Sequence, residues 1–561
     1  NVVVCLSISL EEGEGYYIPL RTDRRRKDFL GLLKQHFRRC EVIMHNAKFE
    51  MKSLEKYGIR FKKVFCTLLA AYALGEETLG LKDIVRRNFG VTMTELDELA
   101  DIVKNPVSWI PLAKLYPYGC ADSDFTLRYA NIARRQLDGS LSAIWYYDIA
   151  LKLLPWAVGE ELEGIEIDED RRLEIDEWFK KELAKLEDTI HELAGEDFNI
   201  NSSDQKAEIL FEVLEGIPET KMTTGGKHPS TNKDDLRPLA GINPIIKPML
   251  EHSSLSTVRS NFVVGLPKRV HPETHRLHAS INQTGTETSR FSYSNPNWQN
   301  LPVRRPETKV IRELVIPDEV GWYIVAIDQS QIELRWAAHL SKDRWMIEQF
   351  RNNISIHAEV CKFVYEVDED HPNWFYLYKN SKNGDFARLF GATEYKLMET
   401  LECSLEKARA FLEGHRALMS DFELWTKEQR KIARRLGYVE THQGYRRYIP
   451  EIQSQNRKQR SKGERLAINT PIQGSAAGMI QMAMVQIARE FKRKRLASRM
   501  IIQVHDELIF SVPEEEVPVV VEIATNILES VVELEIETPV AVEIGPSWGR
   551  LQSFTDWEAG H

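Results

Sequence analysis

Two apolar runs that end in acids place the strongest constraint on this chain. Met500-Ile501-Ile502 and Leu508-Ile509-Phe510 flank Gln503-Val504-His505-Asp506-Glu507, which reads as a β-hairpin with two adjacent carboxylates at its tip. Far upstream, Tyr323-Ile324-Val325-Ala326-Ile327 reads as a buried strand that ends on Asp328. The stretch between them is largely helical, so the order predicts a sheet platform interrupted by a separate helical domain. Taken singly, an Asp at a strand end is more often a turn residue or a helix cap. Two acid-bearing strand ends together are what a pair of Mg²⁺ ions needs to clamp a phosphate, with the ions about 3.5–4 Å apart.

A chain of 561 residues is too long for one core, and its length suggests about three to five domains. Hydrophobic content of 42% and charged content of 28% are those of a soluble globular protein. No apolar run approaches a membrane span, and no secretory signal is visible. The six cysteines lie far apart without a CxxC pair, which points to reduced thiols in a cytoplasmic protein rather than to metal ligands. A net charge of −10 argues against a protein that merely coats nucleic acid. It leaves room for an enzyme with a basic cleft, since local potential governs phosphate attraction. Basic clusters exist at Arg434-Arg435, from Arg457 to Lys462 and from Lys492 to Arg495, although any one of them is more often a solvated helix face.

Residues 1 to about 140 mix short β-like runs, Val2-Val3-Val4 and Val42-Ile43-Met44, with helical stretches, as in an α/β domain. Leu137-Asp138-Gly139-Ser140 reads as a boundary. From Asp170, the positions Ile175, Phe179, Leu183, Leu186, Ile190 and Leu193 form the apolar stripe of a long helix. The polar run from Thr223 to Ser230 reads as a loop.

Three spaced segments carry a family resemblance: Asp328-Gln329-Ser330-Gln331-Ile332-Glu333-Leu334-Arg335, the run from Lys382 to Gly391, and Gln503-Val504-His505-Asp506-Glu507. In this order they resemble motifs A, B and C of the family A DNA polymerases. The likeness extends to Thr286–Ser292 and Asn295–Pro302, and to Gly437–Thr441, Arg446–Pro450 and Glu464–Gly474. It covers roughly residues 150–561 and implies a right-hand polymerase: thumb at 150–275, palm at 276–340 and 466–561, fingers at 341–465. A bacteriophage-type member would fit the irregular motif B.

The resemblance implies roles. Asp328 and Asp506 would hold two Mg²⁺ ions, with the backbone carbonyl of Gln329 as a further oxygen ligand and Glu507 as a supporting acid. On motif B, Lys382, Phe386 and Phe390 stand at i, i+4 and i+8, on one helix face. Spacing alone favours an ordinary amphipathic helix. The family likeness implies instead that Lys382 meets the dNTP phosphates and Phe386 its base and sugar. The chain departs from the family in two places: Tyr378 stands where Arg is usual, and Phe390 where Tyr is usual. Lys379 or His357 would then supply phosphate contacts. Gly384 costs about 1 kcal/mol in a helix relative to Ala and suggests a hinge. Glu333 resembles the steric gate that leaves no room for a 2′-hydroxyl. Arg290, Gln299, Arg465, Asn469, Gln473, Gln503 and His505 would line the primer–template minor groove and primer terminus, where acceptors recur in every correct pair.

Ahead of these segments, His45–Glu50 and Tyr118–Asp122 resemble the second and third motifs of a DEDD-type 3′–5′ exonuclease of RNase H-like fold. The implied site comprises Asn46, Glu50, Tyr118 and Asp122. The family's first motif, Asp-x-Glu on a strand, would lie upstream of Val2, and the opening Asn1 fits a truncated chain. Glu50 stands where Asp is usual, and so does Cys66. The exonuclease fold is therefore expected to be inactive as presented, since a two-metal site needs its acids.

The expected whole is an α/β multidomain monomer that binds primer–template DNA and dNTPs, with any processivity partner unspecified. Two rivals stand beside it: a single-subunit RNA polymerase, against which Glu333 argues, and a retired DNA-binding scaffold, against which Asp328, Lys382 and Asp506 argue.

Overall fold

The computed structural model describes residues 3–99, 106–223, 225–301 and 306–560. Val2, Thr224 and Pro302, each part of a run singled out above, lie outside the described residues. The architecture is mixed α/β: a smaller first domain precedes a larger one built on a five-stranded antiparallel sheet.

The first domain holds an antiparallel pair, β1 (Cys5–Ile8) and β2 (Tyr16–Pro19), and a parallel pair, β3 (Glu41–Met44) and β4 (Lys63–Cys66). The first strand begins at Cys5, three residues later than the valine run suggested. Helix Leu112–Leu137 packs against β1 and closes the domain, and Asp138–Ser140 then forms a turn.

In the helix Glu169–Ala194, Ile175, Phe179, Leu183 and Ile190 are buried and Leu186 is half-buried, whereas Leu193 is exposed and Ala194 points inward. At 3.6 residues per turn, Ile190 is followed on the same face by the position four residues on as well as by that three on, and here packing selects the smaller side chain. Two short antiparallel strands, β5 (Ser280–Asn282) and β6 (Ser292–Ser294), lead into the platform.

The platform begins with β7 (Trp322–Gln329), whose Ile324, Val325, Ala326 and Ile327 are all buried. A run of apolar residues with no alternation is what a strand covered on both faces requires. The helical insert follows and contains one small hairpin, β8 (Tyr438–Glu440) with β9 (Arg446–Tyr448). It returns through the helix Arg457–Lys494, which passes without interruption through the expected fingers–palm boundary at 465/466. The chain re-enters the sheet as β10 (Arg499–Val504) and β11 (Glu507–Pro513), then β12 (Val540–Ser547) and β13 (Arg550–Ser553), in the order β10-β11-β7-β12-β13. The interruption inferred from the spacing of the two acids is thus present.

The two domains touch through specific contacts. The Tyr72 ring stacks on Tyr445 at 4.8 Å, its hydroxyl donates to the Thr286 carbonyl at 2.5 Å, and it accepts from the Ser289 amide at 3.1 Å. Glu161, almost wholly buried, receives the ammonium groups of both Lys48, at 2.6 Å, and Lys52.

Candidate active site

The sheet register brings the acids together. Glu507 lies directly across the ladder from Asp328, and Asp506 sits in the two-residue turn between β10 and β11. His505, the first turn residue, is in the left-handed region at φ 52°, as a tight hairpin requires. The Gln329 amide donates to the Asp506 carbonyl at 3.1 Å, tying the hairpin tip to the end of β7. The Gln329 side chain is spent behind the sheet, where its amide donates to the Leu528 carbonyl at 3.1 Å.

The cleft is short of positive charge. Burial pushes the Asp506 carboxyl up to about 6, with Arg290 pulling it down and Glu333 adding to the rise. Burial also pushes the Asp328 carboxyl up to about 7, helped by the charges of Glu507, Asp506 and Glu543 and opposed by Arg312. Asp328 keeps contact with solvent at the strand end, which screens part of that repulsion. Asp506 Oδ1 has no hydrogen-bond partner, and Arg290 Nη2 is 3.9 Å away. Glu507 is held elsewhere: Arg312 Nη1 is 3.4 Å from Oε2, the Trp548 indole donates to Oε1 at 3.3 Å, and the guanidinium lies 4.0 Å over the Trp548 ring.

Among the described residues, no set of three or more His, Cys, Asp or Glu side chains has metal-site geometry. Mg²⁺ does not need one, since it keeps several waters and takes one or two carboxylates plus substrate oxygens. Asp328 and Asp506, both raised by burial and with Asp506 Oδ1 unpartnered, fit that ion.

Glu333 lies in the first turn of the helix Ile332–Ser341, just after β7, and pairs with the Arg290 guanidinium. The Gln299 amide donates to the Phe291 carbonyl at 2.8 Å, and the Gln503 side chain donates to the His505 carbonyl at 2.6 Å. His505 is exposed. Arg465, Asn469 and Gln473 recur every fourth residue on the helix Arg457–Lys494, while Ile468, Ile472 and Ala476 from the other face enter the helical domain's core. Arg465 bonds to the Ser461 hydroxyl at 3.1 Å, and Asn469 Oδ1 is buried without a partner.

Motif B occupies the helix Trp374–Leu389, with Lys379 and Lys382 exposed and Phe386 half-buried. Phe390 is the capping residue just past the helix, so only Lys382 and Phe386 share its regular face. His357, expected to face phosphates, is instead 3% exposed, and its Nδ1 lies 2.7 Å from a carboxylate oxygen of the buried Asp385. Gly384 has a packing reason as well: a Cβ there would collide with the Phe411 ring.

In the first domain, Asn46 caps the helix Ala47–Glu55 in the left-handed region at φ 64°. Burial pushes the Glu50 carboxyl up to about 8, and its Oε2 has no partner. Tyr118 and Asp122 share the helix Leu112–Leu137, where Asp122 is bonded by Lys82, whose ammonium also lies 4.4 Å over the Tyr118 ring. A cavity of 790 Å³ lies against this domain, lined by Lys48, Lys52, Glu161 and Ile281 among others. None of the palm acids lines it, so the chemistry is better located by the acids than by cavity size.

Sequence reasoning passed over Lys82, Glu161, Arg312, Asp385 and Trp548. None belongs to a local pattern, because each meets its partner across 28 or more residues.

Comparison with known proteins agrees with this geometry. The family model for DNA polymerase family A matches residues 170–550, and that for the 3′-5′ exonuclease matches residues 2–138. DNA polymerase I of Bacillus subtilis (strain 168) is 38% identical over 509 residues, covering 90% of this chain and 57% of that protein. The thermostable DNA polymerase I of Thermus aquaticus is 35% identical over 422 residues, covering 75% and 50%. The chain thus spans about half the length of the curated relatives it matches. A solved structure of the POL domain of Pol1 from M. smegmatis, in complex with DNA primer-template and dNTP, superposes with a TM-score of 0.85 at 27% identity, covering 98% of this chain and 93% of that one. With a 3′-5′ exonuclease domain ahead of its matching polymerase segment, this chain belongs to DNA polymerase family A.

Proposed function

We propose that the chain extends the 3′ end of a DNA primer along a DNA template. The primer 3′-oxygen attacks the α-phosphorus of a dNTP, the bond to the β-phosphate oxygen breaks, pyrophosphate leaves, and the 3′-hydroxyl proton passes to solvent. The observation that carries this reading is the register that sets Asp328, Asp506 and Glu507 at one end of the sheet. Two Mg²⁺ ions held by Asp328, Asp506 and the Gln329 carbonyl would supply charge stabilisation at the attacking and leaving oxygens.

The remaining residues position the reactants. Lys382 and Lys379 present exposed ammonium groups to the triphosphate, and Phe386 and Phe390 offer apolar surface to base and sugar. Glu333, held by Arg290, crowds the sugar C2′ and selects dNTPs. Arg465, Asn469 and Gln473 on one helix face, with Arg290, Gln299, Gln503 and His505, track the minor groove of the primer–template. Residues 150–275 serve as thumb, 276–340 and 466–561 as palm, and 341–465 as fingers.

The exonuclease domain serves as scaffold in this chain. Lys82 occupies Asp122, and Glu50 and Cys66 stand where the family likeness would provide Asp. The protein works as a monomer in the cytoplasm. Its bacterial relatives support that location. Among the described residues no helix is long and apolar enough to cross a membrane.

A primer-extension gel with dNTPs, with rNTPs and without nucleotide tests the reading. Template-directed extension with dNTPs alone is expected. Extension with rNTPs at a comparable rate would favour an RNA polymerase, and no extension in any lane would leave a DNA-binding scaffold.

A further inference from the structure

One side chain of the first domain reaches into the turn that carries Arg290. Tyr72 lies near the end of the short helix Thr67–Ala73, which follows β4 directly, and is 7% exposed. Its hydroxyl donates to the Thr286 carbonyl and accepts from the Ser289 amide, partners 214 and 217 residues away along the chain. None of the roles assigned above uses it.

The turn needs such a partner. Ser289 is fully buried and stands in the left-handed region at φ 58°. A residue other than glycine stays there only where its surroundings over-determine it. Here they do so from both domains. The Ser289 amide is held by Tyr72, and its carbonyl accepts from the Gln481 side chain at 2.6 Å, on the helix Arg457–Lys494. The Thr286 hydroxyl closes the turn by donating to the Arg290 carbonyl at 2.8 Å.

Tyr72 suits this place because one hydroxyl can accept and donate at the same atom. Burial and the neighbouring Tyr445 raise that hydroxyl well above its ordinary value, so it keeps the proton it donates. Its ring is fixed by stacking on Tyr445 at 4.8 Å and by the tilted Trp145 ring at 5.3 Å. The turn then ends on Arg290, whose guanidinium is bonded to Glu333 and lies 3.9 Å from Asp506. A continuous chain of bonded groups therefore runs from Tyr72 to the cleft.

We propose that Tyr72 is a positioning residue for nucleotide selection: by holding the backbone of Thr286 and Ser289 it sets the Arg290 guanidinium against Glu333, and so fixes the carboxylate that excludes a 2′-hydroxyl. This rests on the polymerase reading above. The first domain thereby contributes to substrate choice at a site built by the second. Tyr72 acts through Arg290 and does not itself touch the nucleotide.

A double-mutant cycle tests this with the parent, Tyr72→Phe, Arg290→Ala and the double variant. Tyr72→Phe keeps the ring and its stacking and removes only the hydroxyl. Single-turnover incorporation of a dNTP and of the matching rNTP is measured at one template position, with primer–template affinity and thermal midpoint on the same preparations. Discrimination against the rNTP should fall about tenfold in Tyr72→Phe, as loss of a buried hydrogen-bond partner allows, with primer–template affinity near parental. On the Arg290→Ala background the same substitution should change discrimination by less than about twofold, because the two residues act as one unit. Parental discrimination in Tyr72→Phe, in a chain whose parent extends a primer, would overturn this inference alone. A fall that persists in full on Arg290→Ala would also overturn it, since Tyr72 would then act by another route. Equal losses of dNTP and rNTP incorporation, together with DNA affinity and thermal midpoint, would overturn it too by marking the hydroxyl as structural. A parent that extends no primer would sink the polymerase reading, and this inference with it.

Discussion

The Arg290 guanidinium is bonded to the carboxylate of Glu333, within 3.9 Å of Asp506. One cation therefore joins the proposed sugar gate to the acid at the hairpin tip, and fixes Glu333 against the cleft. Glu333→Ala removes the gate while leaving the sheet intact. We expect discrimination against ribonucleotides to fall about a hundredfold, the range in which a pocket distinguishes one added hydroxyl. Competition between dNTP and rNTP at a single template position measures it, and unchanged discrimination would assign the gate elsewhere.

Phe386 leaves no hydroxyl where a nucleotide lacking its 3′-OH would need one. Dideoxynucleotides should be poor substrates for the parent and better ones for Phe386→Tyr. The ratio of dideoxy to deoxy incorporation reads this directly; an equal ratio in both proteins would show that Phe386 does not face the sugar.

Glu50 makes a pH-dependent prediction. Its folded carboxyl is raised to about 8 by burial, against an ordinary value of 4.5. Between those limits the folded state binds more protons than the unfolded one, so stability falls as pH rises through that window. Glu50→Gln removes the effect. The variant should match the parent's thermal midpoint near pH 5 and exceed it near pH 9. A parental midpoint at both values would mean that the carboxyl is solvated.

Glu161 ties the exonuclease domain to the rest of the chain through Lys48 and Lys52. Burial raises its carboxyl, but the two ammonium groups outweigh burial and the net shift is downward. Its contribution is therefore present above the ordinary value and is lost as pH falls through the folded one. Glu161→Gln leaves two partly buried lysines without their anion and should cost about 2–4 kcal/mol. Limited proteolysis at neutral pH should then release the first domain faster, and an unchanged rate would show that Tyr72 and its neighbours suffice.

Much of the fold could be read from local signals. The β7 run and the β10–β11 hairpin announce themselves by uninterrupted apolar residues with acids at their ends, and the intervening length implies an insert. The sheet order could not be read in the same way, because β7 pairs with β11 and β12 across more than 170 residues. Burial in the helical insert was equally hidden: the resemblance that put His357 near phosphates says nothing of Asp385, onto which tertiary packing turns it. Gly384 shows the same limit, since helix propensity suggests weakness where the Phe411 ring demands space. In the exonuclease domain the departures at Glu50 and Cys66 were visible in sequence, whereas the Lys82 ammonium on Asp122 was not.

The most direct test of the central claim is single-turnover extension by Asp328→Ala and Asp506→Ala, with primer–template affinity measured on the same preparations. Each variant removes an acid at the sheet end without touching the proposed duplex contacts. We expect the rate to fall about a thousandfold or more, as for loss of a group that stabilises transition-state charge, with affinity for primer–template little changed. Extension within about tenfold of the parent by either variant would contradict the assignment of Asp328 and Asp506 as the residues that carry nucleotidyl transfer.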